Sequence, residues 1–181
     1  IPGTHNIELY DALAESDRVR PVLVTDEQSA SFMADGYWRA SGRLACVNVV
    51  PGAGLTHTLS GIAEAFMDNV PLLVLGCGIR QDFQKAYQLH DIDQLAVVRP
   101  ITKDAYRIDR GADLYAGIRR ACAIARAGTP GPVMVEVPFD VLQEEVPDGW
   151  TYTAAPTMRT GPDPTDVRRI AEALVAAQRP V

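Results

Sequence analysis

Glu27 is the residue whose setting asks for chemistry. A run of β-branched and apolar residues at 22–24 ends in Asp26-Glu27-Gln28, and a segment rich in small residues comes next. A glutamate in the first turn of a helix gains about 0.3–1 kcal/mol from the helix dipole alone. That ordinary structural role accounts for Glu27 as readily as any function does. The functional alternative is a carboxylate in a poorly hydrated crevice, where desolvation favours the proton-bound form and lets it share a proton with a ligand nitrogen. Ser29, Ala30, Ala34 and Gly36 lie just beyond it and permit close backbone approach. A glycine inside a helix costs about 1 kcal/mol relative to alanine, so tight packing is the expected reason for Gly36.

A second candidate is the stretch Pro51-Gly52-Ala53-Gly54-Leu55-Thr56-His57. Its GxG lacks the third glycine of a dinucleotide fingerprint, because position 57 is histidine, and no acid ends a strand at the right distance. It reads either as a tight strand-to-helix turn or as backbone that must come close to a flat ligand. The histidines His5, His57 and His90 have no metal-ligand spacing. Each alone is more often structural or solvated, but all three fall in or beside the same loops, which favours a functional role. Asp91 and Asp93 read as a solvated face, and Tyr37-Trp38 as packing. There is no GxSxG and no cysteine with an evident base, so nucleophilic catalysis has no support.

The elements that must position these residues alternate regularly. Apolar periodicity predicts a helix over 7–14, a strand over 21–24 and a helix over 27–40 capped by Thr25 or Asp26 and closed by Gly42. A strand over 44–50 comes next, then a helix over 55–67. The next strand, 71–75, is ended by Gly76-Cys77-Gly78. Residues 80–95 are polar and irregular. A strand over 101–108, a helix over 112–127 and a strand over 132–137 complete the series. Nearly continuous apolar strands alternating with helices imply an α/β fold, an open parallel sheet with helices on both faces. In such sheets ligands bind beyond the carboxyl ends of the strands, and Pro2, Gly3, Thr4, Glu27, Pro51, Gly52 and His57 all fall there.

Composition narrows the class. The chain has 181 residues, 47% of them hydrophobic, enough for a core without staples. A net charge of −6 argues against nucleic acid as a partner. No apolar run approaches a membrane span. Cys46, Cys77 and Cys122 are odd in number, far apart and set in apolar stretches; they are expected to be buried free thiols in a reducing, cytoplasmic setting. Prolines and glycines cluster over 147–164, which marks 143–164 as a linker. Residues 165–181 then read as a helix opening another domain, and the beginning at "IPGTHN" reads as the tail of a strand entering a turn, so first elements are expected to be missing.

The ordered set "IPGTHNIELYDAL", "TDEQSASFMADGYWRASG", "PGAGLTHTLSGIAEAFMDNVPLLVLG", "RPITK" and "GTPGPVMVEVP" resembles the N-terminal pyrimidine-binding (PYR) domain of thiamine-diphosphate enzymes, the superfamily of acetolactate synthase, pyruvate oxidase and the 2-oxo acid decarboxylases. The resemblance covers residues 1–142, and the tail is similar to the start of that family's central domain. It implies that Glu27 hydrogen-bonds the ring nitrogen N1′ of the cofactor's aminopyrimidine. The imino tautomer so favoured can take the thiazolium C2 proton, after which the cofactor attacks a 2-oxo acid and CO₂ leaves. By position, Pro2 and Gly3 belong to the turn near the reacting carbon and Thr4 faces substrate. Pro51, Gly52 and Ala53 form the turn that walls the cofactor rings. His57 falls where many relatives have asparagine, and His90 where acetolactate synthases place a glutamine near the active centre.

Departures from the acetolactate synthase pattern are Asp26 where histidine is usual, Ser29 where glycine is usual, and the displaced Pro51. The segment "YQLHDIDQLAVVRPITKDAYRI" is also similar to oxalyl-CoA decarboxylase-like members, and decarboxylases of longer 2-oxo acids are equally open. The family binds diphosphate and Mg²⁺ through a domain with a GDG…N motif that this chain lacks, and some members hold FAD in the central domain. Active sites form between subunits of a homo-oligomer, so the chain alone is expected to be inactive. Two readings of another class stand beside this one: a nucleotide (NAD)-binding module, and a non-catalytic dimerisation domain.

Overall fold

The computed structural model describes residues 1–82, 89–145, 151–154 and 161–179. Four strands, β1 (Ala45–Val49), β2 (Leu72–Gly78), β3 (Asp104–Arg107) and β4 (Val133–Pro138), form one sheet in the order β1-β2-β4-β3. Every pairing is parallel, with Val47 opposite Val74, Val74 opposite Met134, and Ala105 opposite Met134. The helices are α1 (Ile7–Ala14), α2 (Glu27–Ser41), α3 (Ala53–Met67), α4 (Gln94–Val98), α5 (Leu114–Arg126) and α6 (Pro164–Ala176).

Alternation along the strands divides the core in two. On one face Val47, Val49, Leu72, Val74 and Met134 pack with Ala34 of α2 and with Leu55, Ile62 and Ala65 of α3. On the other, Leu73, Val133, Val135 and Val137 pack with Ala121 and Ala125 of α5. The sheet is therefore covered on both faces, as its continuous apolar strands require.

Local signals explain the helix ends. Asp26 caps α2 by accepting from the Ser29 backbone N–H at 2.7 Å, and Gly42, at φ +66°, stops it in the left-handed region. Asn69, at φ +57°, turns the chain out of α3, and the Val70 N–H then reaches back to the Ala65 carbonyl at 2.7 Å. Lys103 donates to the Ile124 and Ala127 carbonyls at the end of α5, 2.6 Å each.

Helices α2 and α3 lie side by side in the same direction: the contacts Glu27–His57, Ser31–Gly61 and Arg39–Asp68 advance together along both. They pack tightly at Gly61, where a Cβ would collide with Ser31. Gly36, expected to be the packing glycine, has nothing within 4 Å of the position its Cβ would take; it lies on the exposed side of α2.

Other expectations are corrected. Residues 21–24 are not in the sheet, and Val22 and Leu23 are 63% and 73% exposed. β-Propensity makes no strand without a ladder partner, and beside β1 the Ile1 nitrogen already donates to the Asn48 carbonyl at 2.8 Å. Gly76-Cys77-Gly78 does not end β2 but belongs to it; side chains at Gly76 and Gly78 would collide with Met134 and Glu136 of β4. The strand expected over 101–108 shrinks to β3, preceded by a 3-10 turn, Arg99–Ile101. Of the irregular stretch expected over 80–95, residues 83–88 lie outside the described residues, and its last two residues, Gln94 and Leu95, already belong to the short helix α4. Cys46 is exposed rather than buried, alternating with the buried Val47 and Val49 of the same strand; Cys122 is half-buried, Cys77 is buried, and all three cysteines are free thiols. Part of the linker expectation, 146–150 and 155–160, lies outside the described residues. Among the described residues no helix is long and apolar enough to cross a membrane.

Candidate functional site

The loops at the carboxyl ends of the strands are tied together by amide side chains, Asn6 and Gln94 buried and Asn48 half-buried. Asn6, fully buried, donates to the Ile1 carbonyl (3.1 Å) and to Asn48 Oδ1 (2.7 Å), and its own Oδ1 accepts from the Gly3 N–H at 2.7 Å. Asn48 in turn donates to the Leu75 carbonyl of β2 at 2.9 Å. Gln94, 2% exposed, accepts from the Gly52 N–H at 3.1 Å and donates to the Cys77 carbonyl at 2.9 Å. None of these three amides was singled out from the sequence. Asn48 had a usable signal, a lone polar residue inside the apolar strand Ala45–Val49.

Two groups of the expected residues come together on this framework. In the first, the Glu27 carboxylate sits at the start of α2 with its side chain only 17% exposed, 3.4 Å from His57 Nδ1; His57 itself is 66% exposed. In the second group, the backbone of His90, at φ +69°, packs on Gly52, and the His90 ring meets His5 edge-on at 6.0 Å. Burial, then the neighbouring His90, holds His5 below the usual imidazole range. His5 also meets Phe139 at 6.0 Å.

Between the two groups, Val50 is wedged against both glycine turns: a Cβ on Gly3 would lie 2.5 Å from Val50 Cγ1, and one on Gly54 2.7 Å from Cγ2. That wedge fixes the spacing of the 2–4 turn from the 51–54 turn. Pro51 and Gly52 are buried, whereas Pro2, Thr4 and Ala53 are exposed at the rim and Gly3 is half-buried.

The arrangement offers a carboxylate short of water, a rigid backbone wall and exposed small side chains. It suits a flat heterocycle with a ring nitrogen that takes a proton. Among the described residues no group of three His, Cys, Asp or Glu side chains is placed to hold a metal ion.

Comparison with known proteins bears on this geometry. Residues 1–97 match the family described as thiamine pyrophosphate enzyme, N-terminal TPP binding domain. The chain is 33% identical over 185 residues to the acetolactate synthase isozyme 3 large subunit of Escherichia coli K12, covering 99% of this chain and 32% of that one. It is 38% identical over 185 residues to the probable 2-ketoarginine decarboxylase AruI of Pseudomonas aeruginosa, covering 100% and 33%. The crystal structure of benzoylformate decarboxylase from Polynucleobacter necessarius superposes with a TM-score of 0.87 at 25% identity, over 99% of this chain and 34% of that chain. The chain thus spans about a third of the length of the curated relatives it matches.

Proposed function

The chain belongs to the thiamine pyrophosphate enzymes, as their N-terminal TPP-binding domain, and from that premise we propose that it forms the aminopyrimidine side of the active centre in a protein that decarboxylates or ligates 2-oxo acids. The observation that carries the proposal is the Glu27 carboxylate, 17% exposed at the carboxyl edge of the sheet. When bound, the cofactor supplies the electron sink that lets a 2-oxo acid lose CO₂.

The protein's own residues supply geometry and one proton. Glu27 holds or releases that proton at its carboxylate, facing the ring nitrogen of the pyrimidine. The scarcity of water around the carboxylate strengthens its hydrogen bond. Pro51, Gly52 and Ala53 provide the wall on which the rings rest. His57, within reach of Glu27, orients the carboxylate. Pro2 and Gly3 shape the turn beside the reacting carbon, and Thr4 and His90 face the substrate. Diphosphate and Mg²⁺ belong to a separate domain, FAD where present to the central one, and 165–181 to the start of that central domain. A homo-oligomer in the cytoplasm, with the centre completed by another subunit, is the matching assembly. Relatives of both kinds, a synthase and two decarboxylases, support a shared decarboxylation step, with ligation as a later and variable one.

The test is Glu27→Gln in the protein that carries this chain. The expected result is a fall in turnover of about 10²–10⁴, the usual worth of a positioned acid–base group, with thiamine diphosphate still bound. Unchanged turnover would remove Glu27 from the mechanism.

A further inference from the structure

We propose that Gln94 is a positioning residue for the cofactor, holding the Pro51–Gly52 peptide in the orientation that makes it a wall; the proposal rests on the function proposed above. The Gly52 N–H is buried and has to find a partner inside the protein. Its partner is Gln94 Oε1 at 3.1 Å. The other half of the same carboxamide donates to the Cys77 carbonyl at 2.9 Å, where β2 is about to leave the sheet. A trans peptide is planar, so fixing the Gly52 N–H fixes the Pro51 carbonyl on the opposite side. No cis peptide occurs among the described residues.

The carboxamide is itself held. Asp93 caps α4 by accepting from the Ala96 N–H at 2.9 Å, which sets the direction in which residue 94 leaves the helix. Glu136 of β4 touches Gln94 and is braced by Arg107 of β3 at 2.7 Å. Gln94 therefore links the 51–54 turn to the ends of β2, β4 and β3 together. Leu or Met would fill the site but leave the Gly52 N–H without a partner. Only a group with an acceptor and a donor side by side satisfies both ends.

The experiment is calorimetric titration of the whole protein with thiamine diphosphate in the presence of Mg²⁺, across a pH series, for wild type, Gln94→Met, Gln94→Glu and Val133→Ala. Gln94→Met is expected to weaken binding roughly tenfold, the loss of hydrogen bonds that fix the site. A protonated glutamate presents the same acceptor and donor pattern as glutamine. Gln94→Glu is therefore expected to approach wild-type affinity at low pH and to lose it as pH rises. Glu136, Arg107, Asp93, Cys77 and His90 surround the site, so each affinity is taken as a ratio to wild type at the same pH. Val133→Ala, a core trim at the other end of β4, lowers the melting temperature and leaves affinity unchanged if the effect of Gln94 is one of positioning. Gln94→Met binding within twofold of wild type, or a Gln94→Glu ratio that is flat with pH, overturns the proposal. If Gln94→Met fails to fold, the Gln94→Glu series decides alone. A wild-type protein that binds no thiamine diphosphate overturns the underlying function, and the proposal with it.

Discussion

Replacing Gly52 by alanine tests whether the 51–54 turn is as tightly specified as its contacts indicate. Gly52 sits at φ +64°, ψ −108°, a conformation in which an L side chain is strained. That term alone costs about 1–3 kcal/mol. The added Cβ would also lie 2.8 Å from the His90 Cα and 2.9 Å from its carbonyl oxygen. These are backbone atoms of a residue itself held at φ +69°, so they have little freedom to withdraw. Overpacking of this kind costs about 1–3 kcal/mol more. The two effects share a sign and sum to about 2–6 kcal/mol, or roughly 4–24 °C in melting temperature for a domain of this size. Gly42→Ala is the matched control. Gly42 has a similar φ, +66°, but nothing within 4 Å of its would-be Cβ, so it carries only the backbone cost, about 1–2 kcal/mol. Urea unfolding of both variants at one pH measures the difference. If Gly52→Ala is no more destabilising than Gly42→Ala, the close fit of the turn on His90 is wrong.

Buried charge leads to two further outcomes. Burial holds the Glu136 carboxyl above its ordinary value of 4.5, with Arg107 pulling it only partly back. The folded protein thus keeps a proton that the unfolded chain has released; this contribution to stability is full below about pH 4.5 and is lost as pH rises through the folded value. Glu136→Gln is expected to flatten the fall in stability above pH 4.5, read from melting temperatures at closely spaced pH. Lys103→Met removes both donations to the end of α5 and is expected to cost about 1–2 kcal/mol in urea unfolding. A change under about 0.3 kcal/mol would show that water replaces the ammonium there without loss.

The layered fold was legible because its signals are local. Capping at Asp26, the stop at Gly42 and the apolar runs of β2 and β4 each act within a few residues. The misleading features were long-range. Residues 21–24 have strand propensity but no ladder partner, and no window of sequence reports that. Gly36 and Gly61 are both helical glycines, yet only Gly61 meets a neighbouring helix, a fact fixed by how α2 and α3 pair. The site divides the same way. Glu27 and the 51–54 turn announce themselves through type and position. Asn6 and Gln94, which help bind the loops to one another, are ordinary amides in sequence and become meaningful only where burial forces each to find partners, whereas Asn48 interrupts an apolar strand.

The strand order β1-β2-β4-β3 carries a kinetic consequence. Of these four strands, the latest in sequence occupies an interior place, between the second and the third. A nascent chain that has emerged as far as Arg107 can pair β1 with β2, but β3 has no neighbour until Val133–Pro138 leaves the ribosome. Joining β3 to the other strands is therefore a late insertion event, closing long loops before any reward arrives. During that interval the free edge of β2 is the surface on which misassembly would begin.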